Sequence, residues 1–203
     1  MGLTAAKMRG VSAVDGSTKA KVERAAVILF ADHGIDGVST KRIAHQAGIS
    51  EGALYRHFAS KDALARELMK AIHVRLTDMV RVAAGRKSGL ADQIDYIVRY
   101  YCKIADDDWA LFRYHILHLH NFPNLSDRPE DNPHSAAASL LEKAMRRGEI
   151  AKSDPDILAA MALGVVLNPA QAKVLGLMGG PLSAHTDIFT QKVLSVIGLT
   201  TAN

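Results

Sequence analysis

The chain is poor in several residue types, and each shortage excludes something. Its 203 residues include one cysteine, Cys102, one tryptophan, 6 prolines and 15 glycines. A single cysteine excludes an intramolecular disulfide framework and a multi-cysteine zinc site, and it suits a reducing cytoplasm. So little proline and glycine excludes a collagen-like or low-complexity chain. No unbroken apolar run approaches the roughly 18 residues of a membrane span. The longest, around Met161 to Leu167, is short and contains Gly164. The first residues lack the apolar core of a secretory signal, so neither export nor a membrane partner is expected. No stretch sustains the period-two alternation of a half-buried strand.

What remains is an ordinary globular composition, 48% apolar and 23% charged. The net charge of +4 is unevenly divided. Residues 1–62 carry nine Lys/Arg against six Asp/Glu, and residues 63–203 sixteen against fifteen. A basic first third points weakly to a polyanionic partner.

Residues 1–17 show no periodicity and read as a mobile arm. From Thr18 the pattern is helical, with Val22, Ala26, Leu29 and Phe30 on one face. Ser17 or Thr18 caps the start and Gly34 ends it. Ser39 caps a short helix over Thr40 to Ala47, and Ser50 caps another over Glu51 to His57. Ser60 caps a long helix that runs to about Ala84, with Leu64, Leu68, Ile72, Leu76 and Val80 repeating at helical spacing. Further helices are expected near 90–105, 108–120, 134–147, 155–177 and 183–198, with a kink at Asn168-Pro169. The expected fold is all-α: a mobile arm (1–17), a three-helix helix-turn-helix domain (18–64) and a larger helical body for dimerisation and ligand sensing (65–203).

The two short helices carry the function. A helix-turn-helix needs a small residue where its helices cross, which Ala44 supplies. It needs a glycine in the tight turn, which Gly48 supplies. Ile43, Ala47, Ile49 and Leu54 fit the positions that fix the interhelical angle. Glu51, Gly52, Ala53, Arg56 and His57 are then left to face outward.

From Thr40 through Gly48-Ile49-Ser50 and Tyr55-Arg56-His57-Phe58 to Ser60-Lys61-Asp62-Ala63-Leu64, the sequence resembles the DNA-binding signature of the TetR family of bacterial regulators. Phe30 to Thr40 resembles that family's first helix and turn. The likeness covers about residues 18–65. It implies a symmetric homodimer on a palindromic operator in double-stranded DNA, usually a repressor released by a small molecule. By position it implies that Thr40 and Lys41 approach DNA, and that Ser50, Glu51, Gly52 and Ala53 begin the recognition helix. Tyr55, His57 and Lys61 match phosphate-gripping positions. Phosphate contacts orient a protein and base-edge contacts specify the sequence. Gly52 and Ala53 have almost nothing to read with, so Lys41, Glu51, Arg56 and Arg42 are the better base readers. Glu51 could equally orient Lys41 or Arg56.

In the body, Tyr96, Tyr100, Trp109, Phe112, Arg113 and His115 are candidates for an effector pocket, with ordinary core packing as the competing reading. Of His115, His118 and His120 only the first two share a helical face, and no cysteine is near. Neither a metal site nor a cofactor is expected. Cys102 reads as a small core residue. No nucleophile–base or paired-carboxylate constellation is visible, so the chain is not expected to be an enzyme. The last two helices carry more apolar surface than one amphipathic face needs: Ile157, Met161, Leu163, Val166 and Leu167, then Ile188, Phe189, Val193, Val196 and Ile197. They are the expected dimer interface, with aspartate at Val193 and Ile197 expected to give monomers.

Overall fold

The computed structural model describes residues 16–122, 125 and 132–199. The arm expected over 1–17 lies outside them but for Gly16 and Ser17. The described residues form nine α-helices and no strand. They are α1 Thr18–His33, α2 Thr40–Gln46, α3 Glu51–Tyr55, α4 Lys61–Ala84, α5 Leu90–Asp107, α6 Trp109–His118, α7 Pro133–Arg146, α8 Pro155–Val174 and α9 Thr186–Val196. Short 3₁₀ turns follow α6 (Leu119–Asn121) and precede α9 (Leu182–His185).

The serines act as the sequence predicts. The hydroxyls of Ser17, Ser39, Ser50 and Ser60 accept the backbone N–H of Ala20, Arg42, Ala53 and Ala63, at 3.0–3.2 Å. Each fills one of the donors left over at a helix start, for about 1 kcal/mol. α3 is shorter than expected and stops at Tyr55, with Arg56 as its C-cap.

Helices α1 to α3 and the start of α4 close over a small apolar core containing Val22, Phe30, Ile43, Leu54, Phe58 and Leu64, all at most 1% exposed. α1 buries more than the stripe its periodicity predicts, because Ala25, Val27 and Ala31 are covered as well. α1 packs against α2 on one side and α6 on another, so it needs apolar residues around most of its circumference. The boundary expected at 64/65 falls inside α4, which runs unbroken from the DNA-binding module into the body. There α4 packs on α5 and α7, α7 on α8, and α9 on α5 and α8.

α8 continues through Pro169 to Val174, within the helix expected over 155–177. It is also long and apolar enough to cross a membrane by length and composition alone, although no unbroken apolar run is. Asn168, Pro169 and Gln171 interrupt the run without greatly lowering the mean hydropathy of the helix. α8 packs against α6, α7 and α9, yet only 22% of its most apolar window is buried within the chain.

Candidate nucleic-acid interface

The turn between α2 and α3 is set by Gly48, whose φ of +67° lies in the left-handed region that glycine enters cheaply. The backbone there closes as a Schellman motif: Ile49 N donates to Ala44 O at 3.0 Å and Gly48 N to His45 O at 3.1 Å. Ile43, Ala44 and Leu54 are buried between the helices, and Ala47 and Ile49 are half-buried at their edge.

The opposite face is left to solvent. Lys41, Arg42, Gly52, Arg56 and His57 are exposed, and Tyr55 is 51% exposed. Phe58, the other aromatic of the Tyr-x-x-Phe pair, is the inward anchor at 1%. Ser50 is exposed and spends its hydroxyl on the α3 cap, while Ala53 is half-buried.

Gly52 has no intramolecular reason to be glycine. Its φ is not positive, and a Cβ added there would meet nothing within 4 Å. Its effect is to flatten the outer face of α3.

Glu51 faces inward rather than toward Lys41 or Arg56. Its carboxylate accepts the Thr40 hydroxyl at 2.5 Å, and the same hydroxyl lies 3.3 Å from the Tyr55 hydroxyl. The start of α2 is thereby tied to both ends of α3. The bond gives Glu51 a positioning role that eleven residues of sequence separation do not reveal. Arg42 is likewise held, donating from Nη2 to His33 Nε2 at 2.8 Å, so the end of α1 braces α2. Lys61 Nζ donates to the Asp36 carbonyl at 3.5 Å. Lys41, Arg56 and Lys61 have no carboxylate within ion-pair distance among the described residues.

Sequence reasoning missed how the module is fastened to the body. Arg24 of α1 reaches both oxygens of Asp108 at 2.7 and 2.8 Å, and Asp108 also caps α6. Arg113 pairs with Asp32 at 2.8 Å, and His118 Nε2 donates to Phe30 O at 3.2 Å. Tyr114, fully buried, donates to Ala65 O of α4 at 2.7 Å. These side chains bind α6 to α1 and α4.

The body's candidate residues separate accordingly. Arg113 is engaged by Asp32 and faces α1, not a cavity. Tyr96 and Tyr100 stack on each other, with Arg86 over the Tyr96 ring. Trp109 stacks on Phe112 and lies under Lys173. Phe112 lines a small cavity of about 20 Å³ between α4, α5 and α6. His115 is buried against Phe112 and against His73 of α4, with its Nδ1 unpartnered. Burial, and then His73, lowers its pKa to about 3, so it is a neutral core imidazole. Among the described residues no group of three His, Cys, Asp or Glu is placed to hold a metal ion. Burial, with Asp106 adding to it, pushes the Cys102 thiol up to about 12, and the group is an unreactive core residue. A larger cavity, about 60 Å³, lies among α4, α5, α7, α8 and α9, and is lined by Tyr101 rather than its neighbour Tyr100.

The family profile described as bacterial regulatory proteins, tetR family, matches residues 24–68. The chain is 30% identical over 147 residues to the nucleoid occlusion factor SlmA of Vibrio cholerae, covering 70% of this chain and 75% of that protein. Its fold is similar to that of the Bacillus subtilis transcriptional regulator FadR, solved in complex with stearoyl-CoA (TM-score 0.74, 18% identity, 87% of this chain and 98% of that one). It is also similar to SmeT, the repressor of the Stenotrophomonas maltophilia multidrug efflux pump SmeDEF (TM-score 0.67, 21% identity, 88% and 89%). The helix-turn-helix and a likeness that runs well beyond it lead to one conclusion: the chain belongs to the TetR family, and is a DNA-binding transcriptional regulator and not an enzyme.

Proposed function

We propose that the chain acts in the cytoplasm as a homodimer on a palindromic operator, repressing transcription until a small-molecule effector releases it. The observation that carries this reading is the apolar face of α8 and α9 that the chain itself leaves uncovered. Ile157 is 62% exposed, Met161 54% and Ile188 52%. On α8, Ile157, Met161, Gly164 and Asn168 follow at helical spacing along one side. Among the described residues nothing lies within 4 Å of a Cβ added at Gly164, and a glycine inside a helix costs about 1 kcal/mol against alanine. A second copy of the same helix pair would cover this face and form a four-helix bundle.

Val166, Phe189, Val193 and Ile197 belong elsewhere. They are buried in the chain's own core, at 3–8% exposure. Aspartate at Val193 and Ile197 would therefore unfold the body rather than split a dimer. The informative substitutions are Met161→Asp with Ile188→Asp.

In this reading, residues 18–64 bind DNA and residues from 65 onward dimerise and sense the effector. Tyr55, His57 and Lys61 hold phosphates, and Lys41 and Arg56 reach base edges beside the flat Gly52-Ala53 surface. Two recognition helices about 34–36 Å apart enter successive major grooves. α4, continuous between module and body, and α6, fastened to α1, carry a change of shape from the effector to that separation. An effector shifts the balance only by its differential affinity for the two shapes.

The test is selection of binding sites from a random duplex pool, with light scattering on the same protein. An enriched palindrome and a dimer that Met161→Asp/Ile188→Asp converts to folded monomers are expected. An enriched sequence without two-fold symmetry, or a dimer untouched by the pair, overturns the reading.

The likeness to SlmA extends through much of the body and supports a second reading, in which the protein acts in nucleoid occlusion. Many sites dispersed over the chromosome, with no response of DNA binding to small molecules, would favour it over control of one or a few operators.

A further inference from the structure

The larger cavity contains one polar side chain. Its wall is aliphatic, with Met79, Ile94, Val98, Leu141, Ala162 and Val166 among its residues, and Tyr101 is the one lining residue that carries a side-chain oxygen or nitrogen. The Tyr101 hydroxyl is buried and has no hydrogen-bond partner. Its ring is held edge-on against Phe112 at 4.9 Å between centroids, so the phenol is fixed in place. An unpartnered buried hydroxyl is costly, and a natural structure usually satisfies it.

Water is a poor candidate to satisfy it. A buried water needs about two to four polar partners, and this wall offers one. An ionised guest fares worse, because no lining residue carries a countercharge and a buried unpaired charge is strongly disfavoured. The guest that matches the wall is mostly hydrocarbon and presents a single acceptor atom. Burial raises the phenol's pKa far above its ordinary value, so Tyr101 remains a neutral O–H donor.

We propose that the effector is an uncharged, largely aliphatic molecule with one carbonyl, ether or hydroxyl oxygen, which accepts the Tyr101 hydroxyl proton in a hydrogen bond. The inference rests on the ligand-responsive reading above and narrows it to a chemical class. That class excludes free carboxylates and acyl-coenzyme A thioesters whose charged portion would have to enter the cavity.

Size adds a consequence. The cavity is about 60 Å³, less than half the 150 Å³ or so of an engineered apolar cavity that takes benzene. A guest of eight carbons exceeds that space, so to enter fully it has to part the surrounding helices. One of them is α4, through Met79 and Val80, so entry itself supplies the change of shape.

The experiment titrates the dimeric protein, free and on its selected operator, with 2-octanone, octanoate and octanoyl-coenzyme A. Calorimetry reads binding and fluorescence anisotropy reads DNA release. The ketone is expected to bind at least tenfold more tightly than octanoate and to release DNA. Tyr101→Phe keeps the ring and removes the donor. It is expected to weaken ketone binding about tenfold without lowering the melting temperature of the free protein. Tighter binding of either charged probe, or ketone binding unchanged in Tyr101→Phe, overturns the proposal and leaves the ligand-responsive reading intact. Failure of all three probes also overturns it, and Ala162→Leu then decides the broader reading. Altered operator affinity with the cavity filled from within would sustain ligand control, and unaltered affinity in the folded variant would remove it.

Discussion

The DNA-binding module and the body treat their charges differently. In the body, Lys103 pairs with Asp107, Arg146 with Glu142, and Arg99 with both Asp95 and Asp187. Where α1 faces the body, Arg24 and Asp32 are also paired, with Asp108 and Arg113. On the outer face of α2, α3 and the start of α4, Lys41, Arg56 and Lys61 have no carboxylate partner among the described residues. Of the carboxylates there, Glu51 is taken up by Thr40, and Asp62, exposed in the first turn of α4, forms an ion pair with none of the three. The two halves differ by only two in net formal charge. The clustering of Lys41, Arg56 and Lys61 on one face, more than the amount of charge, therefore marks a surface suited to a polyanion.

The comparison breaks most readily at the unpaired cations. Lys41→Glu with Arg56→Glu is expected to lower operator affinity by about 100-fold or more. The melting temperature should hold, since neither side chain has a partner to lose among the described residues. A matching loss of stability would show that these cations belong to the fold. Lys61→Ala should have a smaller effect, weakening all duplexes alike and reducing the slope of log K against log salt by about 1. A changed sequence preference, read from anisotropy titrations across salt and across operator variants, would contradict the phosphate role.

In the body the largest expected effect concerns a neutral group. The pKa of His115 is lowered to about 3, by burial and then by His73, and that of His73 is lowered by burial. The unfolded chain takes up protons as pH falls through about 6.5, while the folded chain refuses them. Stability is therefore complete above that pH and declines below it, by up to about 1.4 kcal/mol per pH unit for His115. His115→Phe should flatten urea-denaturation stability measured at pH 6 and pH 5 by about that slope. An unchanged slope would place the acid sensitivity elsewhere. The smallest effect is expected at the exposed pairs: Arg99→Ala should leave thermal stability and DNA affinity nearly unchanged, because solvent screens the interaction. A large drop in melting temperature would mean that the body, too, depends on its surface charges.

The helix-turn-helix was legible because its requirements are local. Ser39, Ser50, Ser60 and Gly48 announce caps and a turn within four residues of the groups they serve. The Thr40–Glu51 bond and the fastening of α6 to α1 join residues 11 and more than 80 apart, and no periodicity encodes such a pairing. In the body, spacing groups residues by face but does not say which face turns inward. Tyr100 and Tyr101 are adjacent, roughly 100° apart around α5, and only Tyr101 lines the larger cavity. The same ambiguity put Val193 and Ile197 on the outside, whereas on α8 and α9 it is Ile157, Met161 and Ile188 that the described residues leave exposed.

The vacancy over Gly52 bears on how such a regulator diverges. The recognition helix has room for a Cβ at that position in the free protein, since it would meet nothing within 4 Å among the described residues and the φ is not positive. After gene duplication, a copy can change this residue and acquire a new base contact in one step, while the core that folds the module stays as it was. If the proposed interface holds, selection at residue 52 comes from the DNA rather than from the fold, and two paralogues could part company in target sequence before they differ in stability.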